Sequence, residues 1–442
     1  MYNYVSYLRG WHYHAATKLS PRLWISFILL GLTGQFAWTI ENMYFNVFLY
    51  NTITTDPSYI ATMVAASAIV ATLTTLIMGA VSDKVGRRKP FICLGYILWG
   101  ISTLAFGFIS VENISVLFPA ANAAAVAAWT VIIMDCVMTF FGSTANDAAL
   151  NAYITDTTDT SNRARVESVL ATLPLISMLV IFGGFDNMTQ KGEWQKFFVV
   201  FGLIVTITGI VSLFLLKDSA VEPKKWNMLG DILYGFKPSV MKSSKALYIA
   251  LCAGMIISIA VQIFFPYLIV YLQHGLGFDD YSIILAVALI FASVVSVASG
   301  GVIDKIGKLR CMLPCCAIML IGLVLMFFAK DMVFVMVAGA IMMSGYMLVT
   351  ATISAIVRDH TPVEKAGMFQ GIRMIFMVLL PMIIGPYIGA AVIKSNPEKY
   401  IELGVEKIVP TSSIFVAAAI ALVFVVIPVL MLIKNKGENN EK

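Results

Sequence analysis

GAVSDKVGRRK (Gly79–Lys89) and GGVIDKIGKLR (Gly300–Arg310) repeat one pattern, with Gly, Asp, Lys, Gly and a following basic residue in register. Asp83 and Asp304 stand 221 residues apart, half of the 442-residue chain. Each copy leaves a long apolar block, so the chain reads as a duplicated unit. A basic loop that only sets topology would account for one copy; two copies in register point to a paired conformational latch. Gly86 and Gly307 fit a sharp turn between neighbouring helices, and Gly79 and Gly300 fit close helix approach. Asp83 and Asp304 can hold a helix N-terminus or an arginine, while the basic residues, Arg87 among them, anchor to anionic lipid heads.

Working outward, 59% of residues are hydrophobic and 12% charged, against about 25% charged in a soluble domain. The apolar residues form blocks of about 20 or more, each able to cross about 30 Å of hydrocarbon as a helix. Twelve spans are expected, near 23–50, 59–81, 90–110, 124–153, 165–184, 194–216, 246–272, 281–302, 311–329, 332–357, 366–391 and 411–433. The class is therefore an all-α integral membrane protein of two parallel six-helix repeats: 1–216, a connector at 217–245, and 246–442. The first block is too long for a signal-peptide core and has no small-residue cleavage site, so it is read as retained.

Basic residues concentrate on alternate loops, for example Lys84, Arg87, Arg88 and Lys89, then Lys305, Lys308 and Arg310. The positive-inside rule then puts both termini in the cytoplasm of a multi-pass plasma-membrane protein. The net charge of +5 reflects this bias rather than a nucleic-acid partner. Cys93, Cys136, Cys252, Cys311, Cys315 and Cys316 lack ligand spacing and read as small core residues, and the four histidines fall in loops. No metal site, catalytic group or cofactor is expected.

The first loop copy is similar to the loop signature of the major facilitator superfamily, and the six-plus-six layout extends that resemblance over the whole chain. The second copy departs at Lys308-Leu309-Arg310, where one basic position is Leu. QFAWTIENMYFNVFLY (Gln35–Tyr50), VGRRKPFI (Val85–Ile92) and NDAALNAYITD (Asn146–Asp156) resemble the sucrose-type transporters and the glycoside-pentoside-hexuronide:cation symporters, though Asn146-Asp147-Ala148 lacks the proline often found nearby. This narrower resemblance implies a sugar or glycoside moved with a coupling cation.

Ionisable residues inside hydrocarbon are costly and default to functional candidates; here they are Glu41, Asp135, Asp147 and Arg373. At about 100° per residue, Gln35, Thr39, Asn42 and Asn46 share a stripe on the first span with Trp38 at its border, as expected of a cavity wall. Glu41 lies off that stripe, so it reaches the cavity edge or locks onto a neighbouring helix. Asp147 either couples a cation or makes a packing hydrogen bond, and Asp135 shares a face with Thr139 and Asn146. Arg373 either binds an oxygen-rich substrate or neutralises one of the acids. Pro174 and Pro381, at equivalent places in the two halves, and Pro266 in the seventh span suit helices that bend.

The expected function is secondary active transport by alternating access. Gln35, Trp38, Asn42, Asn46 and Arg373 would bind a neutral polyhydroxylated solute, and Asp147, Glu41 and Asp135 would couple it to a proton or sodium ion. No GxxxxGK[ST] pattern is present for direct ATP drive. The alternatives are a proton-driven exporter of drugs or metabolites and a non-transporting receptor on the same fold. The partners expected are a small solute, a sugar on the narrower resemblance, and membrane lipid, with no nucleic acid, and the chain is expected to act as a monomer.

Overall fold

The computed structural model describes residues 19–159, 162–217, 234–362, 366–395, 398–402 and 405–440. Among them are twelve helices long and apolar enough to span a membrane: Pro21–Thr52, Pro57–Val85, Lys89–Phe106, Ala123–Thr157, Arg165–Gly184, Trp194–Leu215, Lys245–Gly275, Tyr281–Ile303, Lys308–Phe328, Met332–His360, Phe369–Ser395 and Ser413–Lys434, called spans 1 to 12. Their starts carry ordinary helix-initiating chemistry. Ser20 caps span 1 through the Leu23 amide, Asp56 caps span 2 through Ser58, Asn122 caps span 4 through Ala125, and Asp331 caps span 10 through Phe334. Pro21, Pro57 and Pro90 sit in first turns, where no backbone donor is lost.

Contacts between the halves follow the duplication. Span 2 packs against span 11, and span 8 against span 5. Moving each partner by six spans converts the first pair into the second, as two parallel repeats about one axis require. The outer faces are apolar: Leu73, Leu94, Ile133, Ile207, Val297 and Ile420 are all exposed, a surface suited to lipid and not to water.

Several spans depart from regular α geometry. Wide, i→i+5-type turns occupy Ile40–Tyr44 in span 1, Tyr271–Gly275 in span 7 and Ile375–Leu379 in span 11, and a longer stretch of the same geometry runs over Ser143–Leu150 in span 4. Span 7 also tightens at Phe265–Tyr267 around Pro266, and in span 11 the wide turn ends directly before Leu380 and Pro381. Span 5 loosens at Ala171–Thr172, after which Pro174 begins a new helix.

One element has no counterpart among the sequence expectations. Between spans 11 and 12, Glu398–Glu402 pairs antiparallel with Val405–Val409, Tyr400 opposite Lys407. The alternation in VEKIV is a strand signal, but a segment between two strong membrane helices is easily read as plain loop. Of the connector at 217–245, Lys217 and the residues from Tyr234 onward are described, with a turn at Tyr234–Phe236 and a helix at Pro238–Ser243; the rest lies outside the described residues.

Candidate functional site

The turn after span 2 shows how the repeated motif works. Gly86 ends the helix at φ 68°, and Gly307 ends span 8 at φ 101°, backbone values that disfavour any side chain. The sharp-turn role therefore holds for both. Close approach at the other two glycines does not: a methyl group added at Gly79 or Gly300 would meet nothing within 4 Å. The guanidinium that reaches Asp83 belongs to Arg88 rather than to Arg87, which is exposed. Arg88 is 4% exposed, with Nη1 donating to Ser82 Oγ at 2.6 Å and Nε to Asp156 Oδ2 at 3.0 Å. It ties the turn to the end of span 4. Burial opposes its charge, but the hydrogen bonds and charges of Asp83 and Asp156 more than compensate and hold it firmly protonated.

The second copy makes the equivalent link with different residues: Lys308 Nζ lies 2.7 Å from Asp359 Oδ2, joining the span 8–9 turn to the end of span 10. The side chain of Asp304 lies outside the described residues. Sequence reading missed Asp156, Asp359 and the buried Arg88, because each motif's partner comes from a helix end about 50 to 70 positions away in the chain.

A cleft of about 210 Å³ opens between spans 1, 4 and 5, on the side toward the basic loops. Gln35, Trp38, Asn146, Asp147 and Asn151 are its polar and aromatic wall. Asp147 accepts from Ser143 Oγ at 3.1 Å and from Asn146 Nδ2 at 3.3 Å. Asn146 Oδ1 in turn lies 3.0 Å from the Tyr96 hydroxyl, which also donates to the Leu30 carbonyl at 2.8 Å. Gly34 makes this possible: a methyl group there would stand 2.7 Å from Asn146 Oδ1 and 2.9 Å from the Tyr96 oxygen. Trp38 packs on Trp99 with ring centres 5.0 Å apart, presenting one flank to the cleft.

The expected amide stripe is only half realised. Gln35 and Trp38 line the cleft, but Asn42 Nδ2 donates to the Trp38 carbonyl at 2.8 Å and Asn46 Nδ2 to the Asn42 carbonyl at 2.9 Å. Asn46 is 1% exposed, and Thr39 is paired with Ser177 of span 5 at 3.0 Å. Both amides bond back to the carbonyl four residues earlier, within and just after the wide turn at Ile40–Tyr44.

Deeper along the same spans, Glu41 of span 1 and Asp135 of span 4 lie within electrostatic reach of each other. Glu41 Oε1 accepts from Thr139 Oγ1 at 2.9 Å, and Ser67 of span 2 borders Asp135. They are 8% and 1% exposed, within electrostatic reach of one another and, more weakly for Glu41, of Asp147. Glu41 Oε2 and Asp135 Oδ1 have no hydrogen-bond partner. Glu41 thus belongs to a carboxyl pair rather than to the cleft edge. Arg373 neutralises neither; it lies in a separate cavity of the second half with Arg358.

At the end away from the basic loops the two halves are fastened together. Asp186, 2% exposed, accepts from Tyr44 at 2.8 Å and from Tyr281 of the other half. Gln190 Nε2 donates to Asp186 Oδ2 at 2.7 Å and to the Asp279 carbonyl at 3.0 Å. Tyr50 donates to the Ile408 carbonyl of the hairpin at 2.6 Å, His274 meets Asn51 at 2.9 Å, and Lys394 meets Asp56 at 2.8 Å. These contacts between the halves all lie at this end.

A cleft reaching toward one face and a clasp closing the other fit known carriers. The sequence pattern of the Major Facilitator Superfamily matches residues 23–386 and 280–442. The chain therefore belongs to that superfamily and is a multi-pass membrane transporter of a small molecule rather than an enzyme. No curated protein matches the chain. A point mutant of the nucleoside transporter NupG superposes with a TM-score of 0.69 at 14% identity, over 92% of this chain and 98% of that one. A bacterial homolog of the human lysosomal transporter Spinster, inward-facing and unoccupied, gives 0.67 at 13%, over 94% and 98%. The xylose transporter XylE from E. coli, inward open and partially occluded, gives 0.64 at 12%, over 90% and 96%.

Proposed function

We propose that this transporter carries a neutral polyhydroxylated solute, a sugar or glycoside, coupled to a proton or sodium ion, and that the structure represents its inward-facing state. The carrying observation is the cleft, where Gln35 and Asn151 amides, the Trp38 flank and the Asp147 carboxylate meet. Amides supply both donors and acceptors to hydroxyl groups, and an aromatic flank suits the apolar face of a sugar ring. With the basic loops cytoplasmic, the clasp around Asp186 is the closed outer gate of a plasma-membrane carrier with both termini inside. The sucrose-type and glycoside:cation symporters remain the nearest reading of subgroup, and a monomer carrying lipid on its apolar faces is the working assembly.

Asp147 opens to the cleft, whereas Glu41 and Asp135 are occluded. Two neighbouring buried carboxyls oppose simultaneous ionisation, so the pair suits holding a proton or binding a cation between them. Coupling by Asp147, Glu41 and Asp135 requires that their occupancy differ between the two facing states. The test is purified protein in liposomes with imposed proton or sodium gradients and a panel of labelled sugars, glycosides, amino acids and dicarboxylates. Uphill uptake of a sugar, lost in Asp147→Asn with exchange retained, is the expected result. Selective uptake of a dicarboxylate or amino acid would overturn the substrate class, and undiminished accumulation in Asp147→Asn, Glu41→Gln and Asp135→Asn alike would overturn the coupling.

A further inference from the structure

At the basic end of the second half, a cavity of about 210 Å³ opens between the start of span 7, the end of span 10 and the start of span 11. Leu251, Val357 and Phe369 form an apolar wall, and Arg358, Gln370 and Arg373 a polar one. The two arginines stand on different spans, within repelling distance of each other. The described ion pairs leave both out: Arg88 holds Asp83 and Asp156, Lys196 holds Glu193, and Lys394 holds Asp56. Asp359, the acid beside Arg358 in the chain, is taken by Lys308. Glu364, on the link between spans 10 and 11, lies outside the described residues.

Arg358, Gln370 and Arg373 are exposed at the cavity mouth, so the two guanidinium groups repel each other through water, and an anion placed between them, with no described counter-charge in competition, relieves that repulsion. Each guanidinium presents a planar fork that matches two oxygens. One fork satisfies a carboxylate, whereas two forks from different helices suit a group with three free oxygens. The Gln370 amide adds a neutral donor, and the wall of Leu251, Val357 and Phe369 accommodates apolar atoms attached to that group. We propose that this cavity is a binding site for a phosphate-type oxyanion borne on a partly apolar molecule, separate from the cleft at Asp147. The oxyanion can come from a soluble phosphate ester or from an anionic lipid head at the same membrane level. Because it is read as binding, the site stands or falls apart from the solute and the coupling ion proposed above.

The experiment uses the purified full chain in dodecyl maltoside, titrated with inorganic phosphate against chloride at matched ionic strength, with calorimetric heat and thermal unfolding recorded together. Saturable binding is expected, weakened at least tenfold by Arg373→Gln and by Arg358→Gln and unchanged by Lys330→Gln, an exposed cation at the other end. A second arm reconstitutes the same variants into nanodiscs of phosphatidylcholine with phosphatidylglycerol and counts anionic lipids retained on release by native mass spectrometry. Loss of a retained anionic lipid in the arginine variants, with no response to inorganic phosphate, supports the site and identifies a lipid head as the source. Should Arg373→Gln fail to fold, Arg373→Lys keeps the charge without the fork and is expected to show the same loss. Equal phosphate affinity and equal lipid retention across wild type and arginine variants overturn the proposal, as does an equal loss in Lys330→Gln.

Discussion

Replacing Tyr281 by Phe isolates one bond of the clasp that joins the halves. The Tyr281 hydroxyl donates to Asp186 Oδ1, which keeps Tyr44 at 2.8 Å and whose second oxygen keeps Gln190 at 2.7 Å. Asp186 therefore stays satisfied within its own half, and the ring of Tyr281, fully buried, keeps its packing. What disappears is a hydrogen bond to a charged group across the interface, about 1.5–3 kcal/mol. When the halves part at this end, water replaces the lost partner, so the deletion acts on the closed state alone. At about 1.4 kcal/mol per tenfold, the closed-to-open ratio should fall by roughly ten- to a hundredfold. Spin labels at Lys191 and Asp280, one on each half beside the clasp, would read this by double electron–electron resonance in a background with the native cysteines replaced. A population of longer distances should appear in Tyr281→Phe and grow in Asp186→Asn. An unchanged distance distribution in both variants would refute the clasp.

Three further outcomes are expected. Arg88→Gln leaves Asp83 and Asp156 without their shared partner and should cost about 1–3 kcal/mol of stability, less than for a fully buried pair because both acids are partly exposed; Arg87→Gln should be near neutral, and thermal unfolding of the two variants side by side measures the contrast. Gly34→Ala forces a methyl group onto Asn146 and Tyr96, so span 1 must move from spans 3 and 4, lowering both the melting temperature and solute binding at the cleft. The carboxyl of Asp56 is partly buried, which alone would raise its pKa, but hydrogen bonds from Lys394 and Ser58 hold it below the ordinary value of 3.8. A depressed carboxylate contributes above its unfolded pKa and is lost only as pH falls through the lower folded value, so Asp56→Asn should leave the pH profile of transport between pH 5 and 8 unchanged; a shifted profile would contradict this.

The spans were legible because hydrocarbon imposes length and apolarity on each helix separately, a local requirement written in consecutive residues. Duplication was legible too, since the Asp83 and Asp304 motifs survive as a visible repeat. The turn glycines Gly86 and Gly307 followed from φ preference alone. What the chain order concealed was every relation that depends on which helix stands opposite which. Arg88 rather than Arg87 points inward, and its partner Asp156 closes a loop of 68 residues. At a constant 100° per residue, Asn42 and Asn46 fall on the same stripe as Gln35. In the structure both amides bond back to their own backbone around the wide turn at Ile40–Tyr44, and Glu41 comes within electrostatic reach of Asp135. Arg358 and Arg373 came together only because spans 10 and 11 meet at their ends. Local composition determines that a helix crosses the membrane; the rotation of each helix, and so which polar side chains face one another, is settled by packing among all twelve.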